Sequence, residues 1–386
     1  MNFELNEEQI AFQDAAREFA AKALAPFAAR WDADGFFPVD TIRQAGELGF
    51  LGLYSPEKFG GLGLPRLDAS LVFEALSEAC PSTTAYLTIH NMVSWMICNF
   101  ASDEVAQVWG PQLTAGHKLG SYCLTEPESG SDAGSLKTTA RRDGDAYVIN
   151  GAKAFISGAG ATDVLVVMAR TGEAGAAGVS AFVVPADLPG ISYGRKEEKM
   201  GWNSQPTRTI TFENVRIPAN HLMQQEGEGF RIAMKGLDGG RINIGVCSVG
   251  AAQAALSAAR QYMMSRKQFN KHLSEFQALQ FKLADMNTEL VAARQMIRLA
   301  AFKLDTQSPD ATTYCAMAKR FATDIGFKVC NDALQLHGGY GYIKEYPLER
   351  LVRDVRVHQI LEGTNEVMRL IVARRLFKDL DAAIPL

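Results

Sequence analysis

The amino-acid sequence predicts an N-terminal all-α domain, a central antiparallel β-domain and a C-terminal helical bundle. Three observations predict this order: helical periodicity up to about residue 118, a period near two from about 119 to 225, and long helical patterns from about 226 onward. We therefore place the domains at 1–118, 119–225 and 226–386.

The first third of the chain carries helix signals. Asn6 and Gln9 have the spacing of a capping box ahead of the Ala-rich amphipathic run "QIAFQDAAREFAAKAL". Further helical patterns occur at "DTIRQAGELGF" and "DASLVFEALSEAC", and the Gly- and Pro-rich loop "SPEKFGGLGLP" separates them.

The central part alternates in hydrophobicity, which is typical of strands. In "DAYVINGAKAFISG", Asn150-Gly151 lies between two strand-like runs and predicts a β-hairpin turn. The runs "DVLVVMAR", "GVSAFVVPA" and "TRTITFENVRIP" add further strands, separated by Gly, Pro and charged residues.

Long helical patterns return in the last third. Three runs of several turns each predict antiparallel helices packed as a bundle: "RINIGVCSVGAAQAALSAARQYMMSR", "FQALQFKLADMNTELVAARQMIRLAAFKL" and "AMAKRFATDIGFKVCNDALQL". Ser274 and Gln277 form a second capping-box pattern at a helix start.

Composition argues against several classes of protein. A net charge of −4 over 386 residues disfavours a nucleic-acid binder, which needs a basic face. No uninterrupted apolar run is long enough to span a bilayer, and the acidic start "MNFELNEEQIAF" resembles neither a secretory signal nor a transit peptide. The six cysteines form no CxxC pair and show no zinc spacing, so we expect reduced, mostly buried thiols and no metal site.

Four short motifs could carry chemistry, and each also has a purely structural interpretation. Tyr122–Asp132, "YCLTEPESGSD", is either a ligand loop with hydroxyl donors or a surface turn. Gln335–Tyr342, "QLHGGYGY", is either a helix C-cap or a set of free N–H groups for a phosphate. Asp238–Arg241, "DGGR", is either a capping turn at the entry to a long helix or a pair of polar ligand anchors. Ser265–Phe269, "SRKQF", places a cation where a helix ends, or offers Arg266 to a pyrophosphate.

One carboxylate has an unusual position. In "HQILEGTNEVMR", Glu362 directly follows the apolar pair Ile360-Leu361 and precedes a Gly-Thr break. A charged carboxylate among apolar side chains is costly. Glu362 is therefore either solvated at a helix junction or held in an environment tuned for proton chemistry.

The order of these motifs resembles the acyl-CoA dehydrogenase family along essentially the whole chain. "YCLTEPESGSD" is similar to the first family signature, "QLHGGYGY…RDVRVHQILEGTNEVMR" to the second, and "SRKQF" with "FQALQF" lies between them. The resemblance implies an acyl-CoA dehydrogenase-like fold, with an N-terminal all-α domain, a central β-domain and a C-terminal four-helix bundle. It also implies FAD between the β-domain and the bundle.

The resemblance implies a role for Glu362 as the base that removes the α-proton of an acyl-CoA while a hydride leaves the β-carbon for the flavin. Part of the family places its base just before the arginine of the "DGGR" motif. Here that position is Gly240, which cannot act as a base.

The resemblance also implies two further sets of residues. The FAD set is Tyr122, Cys123, Leu124, Thr125, Gly130, Ser131, Phe155, Ile156, Ser157, Arg266, Phe269, Phe276, Gln277, Gln335, Leu336, His337, Gly338, Gly339, Thr364, Asn365 and Glu366. Many family members have Trp where this chain has Phe155. The substrate set is Ser131, Asp238, Gly239, Gly240, Arg241 and Arg374.

Substrate and partners follow from the same resemblance. The stretches "GAKAFISGAG", "GWNSQPTR", "GGRINI" and "ILEGTNEVMR" are most similar to the family member of valine catabolism. They imply conversion of isobutyryl-CoA to methacrylyl-CoA, with electrons passed to electron-transferring flavoprotein. Short straight-chain or 2-methylbutyryl substrates, a flavin oxidase and a non-catalytic flavoprotein scaffold remain open alternatives. We also expect a homotetramer, built as a dimer of dimers, in a bacterial cytoplasm or, after processing, in the mitochondrial matrix.

Overall fold

The computed structural model describes residues 4–378, in which a helical layer is followed by a β-sheet and then by a long-helix bundle. This succession confirms the predicted fold class, while the domain boundaries at 118 and 225 stay a prediction. The predicted capping box is also present, because Asn6 Oδ1 accepts the Gln9 N–H at 2.8 Å and Gln9 Oε1 accepts the Asn6 N–H at 3.1 Å. The N-terminal helices are α1 (Glu7–Phe19), α2 (Ala28–Asp34), α3 (Val39–Glu47), α4 (Arg66–Ala79), α5 (Pro81–Phe100) and α6 (Asp103–Thr114).

The central part is a mixed seven-stranded sheet. Along it the strands follow the order β1-β4-β2-β3-β7-β6, and β5 pairs with β4. Most pairs are antiparallel as predicted, but β1 runs parallel to β4, and β2 meets β4 in parallel. The strands are β1 (Gly120–Cys123), β2 (Thr139–Asp143), β3 (Ala146–Ser157), β4 (Val164–Arg170), β5 (Val179–Pro185), β6 (Ile191–Tyr193) and β7 (Thr207–Pro218).

The hairpin turn predicted at Asn150-Gly151 is wrong, because β3 continues straight through it. The ladder between β3 and β7 shifts register between Ile149 and Gly151, so the pair marks a β-bulge. Gly151 has φ +145°, and a Cβ there would lie 2.6 Å from Thr138 Oγ1. Close backbone approach therefore explains the glycine, and the chain reverses at Gly144 instead.

The C-terminal part is built around one long helix, α7, which packs against α4, α5 and two later helices. The capping box predicted at Ser274 and Gln277 is wrong, since the reciprocal bonds join His272 and Glu275 at a short 3₁₀ turn before α8. The elements are α7 (Gly229–Ser265), β8 (Lys267–Gln268), β9 (Lys271–His272), α8 (Gln277–Asp305), α9 (Ala311–His337), α10 (Leu348–Arg356) and α11 (Asn365–Lys378).

The prediction that no segment is apolar enough to span a bilayer needs one correction. By length and composition, α7 is apolar enough to cross a bilayer, but 78% of its most apolar 18-residue window is buried inside the protein. This burial is what a core helix of a bundle shows. All six cysteines are buried and unpaired, as predicted.

Glycines let other helices approach α7 closely. On α9, a Cβ at Gly326 would lie 2.8 Å from the Ser248 Cβ and 2.9 Å from the Ser248 carbonyl oxygen. On α7 itself, a Cβ at Gly250 would lie 2.8 Å from the Ser77 Cβ on α4. Contacts of this kind leave no room for a methyl group, so the spacing between these helices depends on the glycines.

We expect Gly326→Ala to lower the free energy of unfolding by about 1–3 kcal/mol, because the added methyl overpacks the contact between α7 and α9. Gly134→Ala is the matched control, since its Cβ would meet no atom closer than 3.8 Å. Urea unfolding of both variants beside the wild type measures the difference. Equal loss in the two variants would contradict the packing argument.

Candidate active site

Glu362 lies in a turn between α10 and α11 that is held in an uncommon conformation. A short 3₁₀ segment, Val357–Gln359, follows α10, and α11 begins at Asn365. Between them, Glu362 and Gly363 both have left-handed backbone angles, with φ +57° and +87°. This conformation is unfavourable for a residue with a Cβ, which makes it a marker of a functionally constrained site.

The segment that precedes Glu362 is anchored by the 201–208 loop. Trp202 Nε1 donates to His358 Nε2 at 3.1 Å, and the Asp354 carboxylate accepts the Trp202 backbone N–H at 2.7 Å. On its other side, His358 Nδ1 lies 2.7 Å from Ser248 Oγ on α7. Burial lowers the pKa of His358 to about 3, so this histidine is neutral and links Trp202 to Ser248 through hydrogen bonds.

One oxygen of the Glu362 carboxylate is shielded from water. Its Oε2 atom is buried and has no hydrogen-bond partner among residues 4–378. Burial raises the pKa of Glu362 to about 7, and the nearby cations Arg241 and Lys319 act in the opposite direction. A carboxylate with a pKa close to neutrality can accept a proton at physiological pH, so the solvated-junction interpretation is not supported.

The "DGGR" motif lies inside α7, nine residues after its start, so the predicted capping turn at the helix entry is wrong. A Cβ at Gly240 would lie 2.5 Å from Glu362 Oε2, and a Cβ at Gly239 would overlap the Arg66 guanidinium. Glycine in a helix interior is unfavourable. The pair is explained by the two side chains that cover it, and a second carboxylate has no space at position 240.

Arg241 and Asp238 form a buried pair beside these glycines. Arg241 donates to Asp238 Oδ1 at 2.6 Å, while the Thr312 hydroxyl donates to Asp238 Oδ2 at 2.7 Å. Burial raises the pKa of Asp238 and Arg241 counteracts this effect. Arg241 Nε is buried without an acceptor in the described part of the chain, so it is available to a ligand.

Two functional candidates were missed by the sequence analysis. Arg66 stacks its guanidinium 3.4 Å from the Tyr54 ring centroid, and its buried NH1 has no acceptor within the described residues. Lys319 is fully buried on α9. It lies among Cys315, Ala318 and Ala322 on the apolar face of that helix. A lysine at an apolar position of the helical repeat is a sequence signal that could have identified it.

The 122–132 loop lies at the end of β1 and is held in place by a buried ion pair between Lys153 and Glu126. Lys153 Nζ donates to Glu126 Oε1 at 2.7 Å and to the Leu124 carbonyl at 3.1 Å. Glu126 also accepts the Thr138 backbone N–H at 2.9 Å. Burial lowers the pKa of Lys153, whereas Lys153 and the backbone donors bring the pKa of Glu126 below its usual range despite burial.

Residues of the predicted FAD set differ in accessibility around this loop. The Tyr122 hydroxyl is buried without a partner among residues 4–378, while Gly130 and Ser131 are exposed. Cys123 is buried in the sheet core, where burial raises its pKa to about 12, so only its backbone can reach a ligand. Phe155 lies at a second register shift of β3 and has φ +57°. Its side chain is 70% exposed, so the described residues leave its aromatic face largely uncovered.

A second group of predicted residues meets at the far end of the bundle. Arg266, Gln335 and the 336–339 segment line an open cavity of about 580 Å³. The neighbouring β8–β9 hairpin contains Phe269, which is 87% exposed and has φ +53°. The ring centroids of Phe269 and Phe276 are 6.3 Å apart. Exposed glycine backbone, an arginine and aromatic rings suit a nucleotide diphosphate.

The two groups are far apart within one chain. Lys319, beside the Glu362 turn, and Gln335 are both on α9, and their separation of 16 positions corresponds to about 24 Å of helix. Thr364, Asn365 and Glu366 lie at the Glu362 end. Arg374 is exposed on α11, about 13 Å beyond Asn365, and its predicted substrate contact stays a prediction. The described residues contain no cluster of His, Cys, Asp and Glu that could hold a metal ion.

Comparison with known proteins agrees with this architecture. Three successive family models match the chain: "Acyl-CoA dehydrogenase, N-terminal domain" over residues 6–117, "middle domain" over 121–215 and "C-terminal domain" over 227–377. Proteins named "Isobutyryl-CoA dehydrogenase, mitochondrial" from Dictyostelium discoideum and Bos taurus are 55% and 54% identical. Each match covers 97% of this chain and 90% of the relative.

Solved structures agree as well. A chain described under "Electron transferring flavoprotein of Acidaminococcus fermentans: Towards a mechanism of flavin-based electron bifurcation" superposes with a TM-score of 0.96 at 40% identity, covering 98% of this chain and all of that one. Butyryl-CoA dehydrogenase from Megasphaera elsdenii superposes with a TM-score of 0.95 at 38% identity, with the same coverage.

We expect Lys153→Met to reduce the free energy of unfolding by about 3–5 kcal/mol, because it leaves the Glu126 carboxylate buried without its cation. The double variant Lys153→Met/Glu126→Gln should recover much of this loss. Lys137→Met, which removes an exposed ion pair with Glu128, is the control and should leave the stability nearly unchanged. Urea unfolding of the three variants distinguishes a buried support from a surface contact.

Proposed function

The chain belongs to the acyl-CoA dehydrogenase family, and we propose that it dehydrogenates a short branched-chain acyl-CoA, first of all isobutyryl-CoA, with Glu362 as the base. Members of this family are FAD-dependent flavoproteins, and the chain is accordingly a flavin-dependent oxidoreductase that acts on acyl-CoA. The exact acyl chain, the electron acceptor, the oligomeric state and the residue roles belong to the proposal.

The partnerless Glu362 carboxylate carries the assignment of the base. A group that must accept a proton from carbon has to keep an oxygen free of strong donors, and Oε2 has none among the described residues. Burial brings the pKa of Glu362 to about 7, which suits proton abstraction near neutrality. Gly240 lets the Glu362 carboxylate lie directly against α7, since a Cβ there would be 2.5 Å from Oε2.

The unpartnered polar atoms near Glu362 fit a ligand with several acceptors. Arg66 NH1, Arg241 Nε and the Tyr122 hydroxyl are buried without partners in the described chain, an arrangement that is costly unless a ligand or water pairs with them. Phe155 offers an uncovered aromatic face for a flat ring. These observations support placing FAD and the acyl thioester in this region.

When bound, FAD supplies a two-electron acceptor for the hydride that leaves the β-carbon. Glu362 removes the α-proton, so the C–H bonds at Cα and Cβ break and a C=C bond forms between these carbons. We assign the backbone N–H of Glu362 to the thioester oxygen, where it would stabilise the negative charge that develops as the proton leaves. Arg241 and Lys319 favour the ionised carboxylate and so oppose the effect of burial.

Isobutyryl-CoA is proposed as substrate on the identity with the two proteins named for it, compared with 41% for a Bos taurus protein named as short-chain specific. The product would be methacrylyl-CoA, which places the reaction in valine catabolism. The difference of a single methyl group between acyl chains amounts to about 1–3 kcal/mol of discrimination.

The separation of the two residue groups supports a homo-oligomer. The Thr364–Glu366 segment lies beside the Lys319 end of α9 and Gln335–Gly339 lies at the other end, about 24 Å away along the helix, so we infer that the same FAD takes these segments from different chains. We propose that the Arg266 and Gln335–Gly339 cavity receives the ADP half of FAD held by a second copy, in a tetramer built as a dimer of dimers. The compartment stays a prediction, since the similar proteins include mitochondrial and bacterial ones.

We expect Glu362→Gln to retain FAD and to bind acyl-CoA while turnover falls by at least about 10³-fold, because general-base catalysis is lost. Glu47→Gln, the same change at an exposed residue of α3, is the control and should leave turnover unchanged. Dye-coupled assays and the flavin absorbance of the purified variants give both quantities. Substantial turnover in Glu362→Gln would refute the assignment of the base.

We expect isobutyryl-CoA to bleach the flavin faster under anaerobic conditions than butyryl-CoA or 2-methylbutyryl-CoA. Electrons should then pass to added electron-transferring flavoprotein rather than to O₂, with little peroxide released. A preference for butyryl-CoA would change the substrate and leave the family role intact. Absence of bleaching with every acyl-CoA tried would favour a non-catalytic role.

A further inference from the structure

Lys319 is a buried cation that contacts the turn of the proposed base from the outside. Its side chain is fully buried on α9, and its Nζ donates to the Gly363 carbonyl and to Asn365 Oδ1, both at 2.8 Å. Among residues 4–378 it forms no ion pair with a carboxylate within 4 Å, which is unusual for a buried ammonium group. Its contacts are therefore with the turn itself.

The turn needs such support. A left-handed conformation at a residue with a Cβ costs about 1–2 kcal/mol, and Glu362 adopts it immediately before Gly363 does the same. The carbonyl that Lys319 holds belongs to Gly363, the residue directly after the base. Asn365 is held from α9 as well, because Thr323 Oγ1 accepts a hydrogen bond from its Nδ2 at 3.0 Å and Asp324 accepts another at 2.7 Å.

We propose that Lys319 is a positioning residue for the base: it fixes the Glu362–Gly363 turn through the Gly363 carbonyl and places a positive charge behind the Glu362 carboxylate. The proposal rests on the proposed function only in taking Glu362 as the base. Both observed acceptors of Lys319 belong to the chain itself, so the proposed role is exerted through the turn.

The charges around the turn determine whether Lys319 raises or lowers the pKa of Glu362. Glu362 faces the cation Arg241 from α7 and Lys319 from α9, and it also interacts electrostatically with the phenols of Tyr54 and Tyr122. Both cations favour the ionised carboxylate and oppose the effect of burial. Burial lowers the pKa of Lys319 to about 8, while Glu362 and Asp324 act the other way, so Lys319 is still mostly protonated where Glu362 ionises. Glu366 at the start of α11 and Arg241 also act on Lys319, with opposite signs.

The pH profile separates this role from a merely structural one. If Glu362 must be ionised to act, kcat/KM rises with pH through the pKa of Glu362 in the free enzyme. Removing the charge of Lys319 destabilises the carboxylate, so the pKa of Glu362 rises and the acid limb of the profile moves to higher pH. A side chain that only fills space or braces the turn would change rates or stability without moving that limb.

The experiment uses the FAD-loaded enzyme and the acyl-CoA that reduces the wild type best. Lys319→Gln removes the charge and keeps an amide donor, and its acid limb should move up by about one pH unit. Lys319→Arg keeps the charge, so its limb should stay near that of the wild type even if its rate falls. Thr323→Val removes a neutral contact to the same Asn365, and its limb should not move.

Each outcome decides the question. A limb that stays in place in an active Lys319→Gln enzyme, or one that moves equally in Thr323→Val, overturns the proposal. If Lys319→Gln does not retain flavin, the test rests on Lys319→Arg. A displacement of its acid limb by one pH unit, despite the retained charge, is incompatible with the proposed role. Failure of the wild type to oxidise any acyl-CoA refutes the proposed function, and it is seen before any variant is compared.

Discussion

The central constraint on this molecule is that a carboxylate has to be kept out of water and without a hydrogen-bond donor. Glu362 Oε2 meets both conditions within the described chain. A buried charge of this kind is unfavourable by several kcal/mol unless cations lie nearby. Arg241 and Lys319 supply that charge from two different helices, one on each side of the turn, and neither forms a direct ion pair with the carboxylate. The charge of the Glu362 carboxylate is thereby offset by nearby cations without a direct ion pair.

The fold can be understood as the support for this arrangement. The central helix α7 places Gly240 where a side chain would obstruct the Glu362 carboxylate, and Gly239 where one would overlap the Arg66 guanidinium. Helix α9 holds the turn from the other side, and its glycine at 326 lets it pack closely enough to α7 to do so. On the sheet, the Lys153–Glu126 pair holds the loop that faces the bundle. Each supporting contact links parts of the chain that are distant in sequence.

This distance explains which features could be predicted. The order of helices and strands follows from local periodicity, and the importance of Glu362 follows from the motifs around it. The signal Asn150-Gly151 is shared by hairpins and bulges, and only the neighbouring Thr138 decides between them. The glycines of "DGGR" indicated a helix start because glycine is a poor helix former, whereas their reason is tertiary contact with Arg66 and Glu362. Lys319 acts on residues 44 and 46 positions away, which no local pattern reveals.

The close approach of Gly240 to Glu362 also limits how this site can evolve. The resemblance to the family implies a second possible place for the base, the position that Gly240 occupies here. Adding a carboxylate at 240 while Glu362 is present would crowd two acids into a space that holds one, since even a Cβ would lie 2.5 Å from Oε2. Removing Glu362 first would leave the enzyme without its proposed base. Under the proposed function the two placements therefore exclude each other, and a change from one to the other requires paired substitutions at 240 and 362.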